Sequence, residues 1–184
     1  MRCGLYLFRV RPPALLVTAD EYFDCHIPHR INLLFAFRTR YSGRDDSRSL
    51  DPERYRDLFR CAKDMSFLMT RFFCGELGIY CDEATHQIKR AEKWMSHFGS
   101  TRVDVSQISG HPSCRDLCQM YEAANQAVAH IDDRGISHWF QCTVDDLRMV
   151  AVINWLEGLI RDHIYSDAGR DLARSMNLPQ NVVS

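Results

Sequence analysis

From Ser113 to Asp133 the chain repeats apolar residues at the spacing of an α-helix. At about 100° per residue, Leu117, Met120, Tyr121, Ala124, Val128 and Ile131 fall on one side. Arg115, Gln119, Glu122, Gln126, Ala129 and Asp133 fall on the other. A stripe of this kind is stable only when buried against other elements, so the rest of the chain must supply partners for it.

Three more stretches carry the same period. Pro28–Tyr41 has Ile31, Leu34 and Phe35 on its expected inner side, with Pro28 at the first turn and the stem of Arg38 alongside. Asp51-Pro52 reads as an acidic cap followed by a proline at the first helical position. Behind it Tyr55, Leu58, Phe59, Ala62, Met65, Phe67, Leu68, Phe72, Phe73 and Leu77 cover a wide arc, which marks a central helix. Thr143 with Asp146 resembles a capping box and opens a helix through Leu147, Val150, Ile153, Leu159 and Ile164. Shorter helices are expected over 83–98, carrying Ile88, Ala91, Trp94 and Met95, and over 168–176. The predicted fold is all-α: a helical bundle of four long helices plus one or two short ones, with a short N-terminal arm. Residues 1–19 form that arm, 20–178 a single helical domain, and 179–184 a polar C-terminal tail.

The totals exclude several classes. A length of 184 residues with 46% hydrophobic and 26% charged residues suits a folded domain that needs no disulfide or metal for its stability. A net charge of -1 provides no global attraction for nucleic acid or an anionic membrane. No apolar stretch approaches the roughly 20 residues needed to span a bilayer. Arg9 and Arg11 interrupt the apolar run near the N-terminus, which argues against a signal peptide. The eight cysteines are irregularly spaced, lack a CxxC pair and in part lie on apolar helix faces, which points to a reducing, cytoplasmic setting. Of the 23 basic residues only Lys63, Lys89 and Lys93 are lysine. Arginine favours bidentate contacts with carboxylate or phosphate, and a GC-rich genome produces the same bias.

Asn125 and His130 sit in the phrase ANQAVAHID, with His130 turned away from the apolar stripe. This resembles the signature of HEPN domains, helical bundles that include many ribonucleases of bacterial toxin and defence systems. The resemblance implies acid-base or phosphate chemistry for His130 and a catalytic neighbour in Asn125. Ala124 stands where the motif carries its phosphate-binding arginine.

Other residue groups supply alternatives. His111, Cys114 and Cys118 share a helical face, and imidazole with two thiolates would suit zinc, although no cofactor is required by the pattern. Asp24, Cys25, His26 and His29 surround Pro28, where they are expected to shape a bend. Arg38, Arg40, Arg44, Arg48, Arg54, Arg56 and Arg60 interleave with Asp45, Asp46, Asp51, Glu53 and Asp57, a pattern of surface ion pairs before nucleic-acid binding. Asp64 and Glu76 lie beside the apolar arc of the central helix, where each should pair with Arg71 or serve a site. Arg161, Asp162 and His163 fan out too widely for a triad. No Walker loop, dinucleotide fingerprint, nucleophile elbow or HExxH is present.

Together these observations favour a cytoplasmic bacterial helical domain that binds a macromolecular partner, within a toxin, defence or regulatory system. A protein partner or self-association is expected ahead of nucleic acid, with no membrane. A HEPN-like ribonuclease, or a degenerate relative, is the second reading, and a metal-dependent helical-bundle enzyme the third.

Overall fold

The computed structural model describes residues 17–41, 52–94, 96–129 and 144–177. Residues 1–16 of the arm, the loop 42–51 with Arg44, Arg48 and Asp51, Met95, residues 130–143 with His130 and Thr143, and the tail after Asn177 lie outside the described residues.

The fold is broadly all-α. It comprises α1 (Ala19–Glu21), α2 (Ile27–Tyr41), α3 (Pro52–Glu76), α4 (Val105–Ile108), α5 (Cys114–Ala129), α6 (Asp146–Leu159) and α7 (Leu172–Met176), with strands β1 (Ile79–Asp82) and β2 (Gln87–Arg90). As the apolar arc predicted, α3 is central: it packs on α2, α5, α6 and β1. Phe67 and Phe73 of α3, with Leu77 just after it, meet a core that includes Ile31, Leu34 and Phe37 of α2, Leu117, Met120 and Ala124 of α5, and Val152, Ile153 and Leu156 of α6. Each is at most 1% exposed, so each large side chain contributes about 1.5–3 kcal/mol of burial. Where α2 and α3 meet, the Ser66 hydroxyl donates to the Leu34 carbonyl at 2.8 Å and to Ala62 of its own helix at 3.0 Å.

Pro28 lies in the first turn of α2, as expected, but the chain ahead of it is already helical. The helix begins at Ala19 with a Thr18–Glu21 capping box and runs through Pro28 by widening into a π-turn over Tyr22–His26. There the Ile27 N–H reaches back five residues to the Tyr22 carbonyl. The added residue relieves the clash that a proline ring makes in an ordinary α-turn. Asp24 of this segment accepts a 2.8 Å bond from the Ser175 hydroxyl of α7, while His26 and His29 are exposed, so the group around Pro28 does not converge.

The helix expected over 83–98 is corrected. Ile79, Tyr80, Cys81 and Asp82 pair antiparallel with Arg90, Lys89, Ile88 and Gln87 respectively. Alternation of buried Ile79 and Cys81 with partly exposed Tyr80 and Asp82 is the strand signal, too short to stand out beside Ile88 and Trp94. The Asp82 carboxylate accepts the Ala84 and Thr85 N–H groups at 3.0 Å each, an Asx turn that stops helix growth, and also pairs with Lys89 across the hairpin. Trp94 closes the end of α3 instead: its indole N–H donates to the Glu76 carbonyl at 2.7 Å.

The cap of α6 is Asp145, whose side chain accepts the Arg148 N–H at 2.9 Å. After Leu159 this helix also widens, into a π-segment over Ile160–Ser166. The last helix is shorter than expected, because Asp171 caps it only at Leu172.

Candidate functional site

Among the described residues, no helix covers the side of α3 that carries Leu68, Arg71, Phe72 and Gly75. Leu68, Arg71, Phe72 and Gly75 recur there at three- and four-residue steps, which places them on one face. With Glu76 and with Tyr121 of α5 they line a cleft of about 410 Å³, within the range of ligand-binding pockets. Its floor is apolar and aromatic. Arg71 is exposed; burial pushes the Tyr121 phenol up from its ordinary value, against the pull of the Arg71 charge. On the opposite flank the Arg30 guanidinium lies 4.6 Å from the centre of the Phe72 ring.

Glu76 forms the far rim. It does not pair with Arg71, as the sequence suggested; its Oε2 accepts the Tyr22 hydroxyl at 2.5 Å and lies 4.0 Å from His97 Nε2. The Tyr22 and His97 rings stack at 5.5 Å between centres. Burial and the Glu76 carboxylate together hold the Tyr22 phenol in its neutral form well above its usual range. Asp64, two turns before Arg71, has no hydrogen-bond partner among the described residues, and burial raises its carboxyl above the ordinary carboxylate value. Arg71 therefore pairs with neither carboxylate expected for it, and the cleft lining holds one basic and one acidic side chain.

The residues singled out from sequence scatter. Asn125 is half-buried and its Nδ2 donates to Glu83 Oε1 at 3.0 Å, tying α5 to the hairpin turn. His130 lies outside the described residues. Ala124, at the arginine position of the HEPN-like phrase, is completely buried, and a guanidinium there would have no path to phosphate. His111 stacks on Trp155 at 4.1 Å between ring centres and its Nδ1 accepts the Ser113 N–H at 3.2 Å. Cys114 donates its thiol to the Ile108 carbonyl at 2.9 Å. Cys118 is buried against Cys81, and that hydrogen bond together with burial pushes its thiol up, away from a metal-binding thiolate. These three side chains have three separate destinations. Among the described residues no group of three or more His, Cys, Asp or Glu side chains is arranged to hold a metal ion.

The arginine-rich stretch is partly consumed by structure. Arg38 bonds Asn154 and Glu157 of α6 at 2.6 Å each and stacks on Phe35 at 3.8 Å. Arg161 pairs with adjacent Asp162 at 3.0 Å, whereas His163 faces Thr101 and Asp167, so the three do not act together. No described helix is long and apolar enough to cross a membrane.

The cleft residues were visible individually in the sequence, as members of a wide apolar arc, but nothing local separates Leu68 and Phe72 from the core residues beside them. Comparison of the chain with protein-family models, with curated proteins and with solved structures gives no match.

Proposed function

We propose that this chain is a helical protein-binding domain whose working surface is the cleft along α3. The observation that carries this reading is the cleft's composition: apolar and aromatic Leu68, Phe72 and Tyr121 line it together with Arg71 and Glu76. An amphipathic helix laid in such a groove buries its apolar face, offers an acid to Arg71 and a base to Glu76. In this reading occupancy of the cleft is itself the output, as in a regulatory domain.

Selection of helical peptides from a random display library tests this. Peptides enriched by the wild-type chain are expected to carry an acidic residue flanking an apolar ridge. They should lose binding by about tenfold or more to Leu68→Asp or Arg71→Glu, as for residues at the centre of an interface. Enrichment that is equal on wild type and Leu68→Asp would overturn the reading.

The ribonuclease alternative rests on His130. It requires the chain to cleave RNA and His130→Ala to abolish cleavage; a chain inert on RNA removes it.

A further inference from the structure

We propose that Cys81 and Cys118 are the two halves of a disulfide that forms on oxidation, and that the β1–β2 hairpin is the strap that governs access to them. The inference does not depend on what the cleft binds.

One stripe of α5 carries the strap. Cys118, Glu122 and Asn125 follow one another at four- and three-residue steps, which places them on a single face. Each takes a partner from the hairpin. Glu122 Oε1 lies 2.8 Å from His86 Nδ1, and the Asn125 amide donates to Glu83 Oε1 at 3.0 Å. Cys81, on the inward side of β1, meets Cys118, and each thiol is the largest influence on the other. Cys74 of α3 is the next neighbour of Cys81. All three are free thiols, and none is more than 3% exposed.

While the hairpin is seated, these sulfurs are inert. The bond to Cys81, burial and the Glu122 carboxylate all push the Cys118 thiol up. For Cys81 the Cys118 contact pulls down, but Cys74, burial and Glu122 outweigh it, and that thiol is pushed up too. Neither is then the thiolate that oxidants attack. A two-stranded hairpin is marginal by itself. Its turn is tied to α5 by exposed polar bonds, so it lifts at lower cost than the bundle unfolds. Lifting hydrates both sulfurs and returns them to ordinary cysteine chemistry.

Hydrogen peroxide is the oxidant class that fits. The Cys81 thiolate attacks the O–O bond, a sulfenic acid forms and one water leaves. The Cys118 thiol then attacks that sulfur, and its oxygen leaves as a second water. Two thiols lose two protons and two electrons, and one peroxide becomes two waters. The bond closes where the seated hairpin already brings the sulfurs together, so oxidation fastens the strap to α5.

Peroxide treatment of the reduced full chain, followed by alkylation and tryptic mapping, tests the pairing. Cleavage at Arg71, Lys89, Arg115 and Arg134 leaves Cys74 and Cys81 in residues 72–89 and Cys118 in residues 116–134. The expected product joins these two peptides, with two hydrogens lost. Cys74→Ser should leave it in place, and Cys81→Ser should abolish it. Glu122→Ala combined with Asn125→Ala should form the link about fivefold faster or more, because two hydrogen bonds no longer oppose lifting. Tyr165→Phe, which removes a buried bond between the two π-segments, should leave the rate unchanged. Absence of the joined peptides, their persistence in Cys81→Ser, or an unchanged rate in the strap variant overturns the proposal. Equal acceleration in Tyr165→Phe would place the opening in global unfolding and overturn the strap.

Discussion

The Tyr165 hydroxyl donates a 2.8 Å hydrogen bond to the Phe23 carbonyl, a group that the π-turn register would pair with residue 28. That residue is Pro28, which has no N–H. A donor from the far end of the chain therefore satisfies a buried acceptor orphaned by a local sequence choice, and it pins the first helix to the last π-segment. Both Phe23 and Tyr165 are at most 1% exposed, so water cannot substitute.

Tyr165→Phe should destabilise the fold by about 1–3 kcal/mol, the cost of a buried carbonyl left without a donor. In a Pro28→Ala background an N–H becomes available to the Phe23 carbonyl, and the same substitution should cost less. Urea denaturation of the four variants measures the coupling. Equal costs in both backgrounds would mean that proline does not create the need for Tyr165.

Alkali should unfold the protein through its buried phenols. Tyr22 and Tyr165 both have folded-state values raised above the ordinary 10.0, burial being the first cause in each. A raised folded value means that the unfolded chain releases its proton first. The stabilisation is complete below pH 10 and is lost as pH rises beyond it. Each phenol adds a slope of at most about 1.4 kcal/mol per pH unit. Tyr22→Phe should flatten the loss above pH 10 while leaving the pH dependence near neutrality unchanged. An unchanged alkaline slope would count against the Tyr22–Glu76 arrangement.

Two glycines near the end of α3 should respond oppositely to alanine. Gly78 sits at φ +70, and a Cβ there would lie 2.8 Å from Arg102 and 3.0 Å from Trp94. Gly78→Ala should therefore cost more than about 1 kcal/mol, from left-handed strain and crowding combined. Gly75 is helical with open space around its Cα, and Gly75→Ala should stabilise the fold by about 0.5–1 kcal/mol. Thermal denaturation of the two variants measures both effects.

The positions of the four long helices and the central place of α3 were legible in the sequence, because an apolar period of 3.6 demands burial wherever the chain runs. The start of α3 at Pro52 and the stripe of Leu117, Met120 and Ala124 needed no tertiary information. The hairpin did not reveal itself: four-residue strands carry too few alternations, and the Asx turn at Asp82 was overshadowed by the apolar residues after it. Pro28 was read as a boundary because local geometry alone forbids it inside an α-turn. Only the Tyr165 donor, 142 residues away, makes the wider turn affordable.

Partnership between charges was likewise beyond the sequence. Asp64 and Glu76 both stood within reach of Arg71 along one helix, yet Glu76 turns to Tyr22 instead. A side chain's partner depends on which helix lies against it, and that is set by the packing of whole faces. The sequence by itself determined that α3 has an apolar arc too wide for one neighbour. The tertiary structure decided which part of that arc α2 and α5 cover, and which part they leave facing outward.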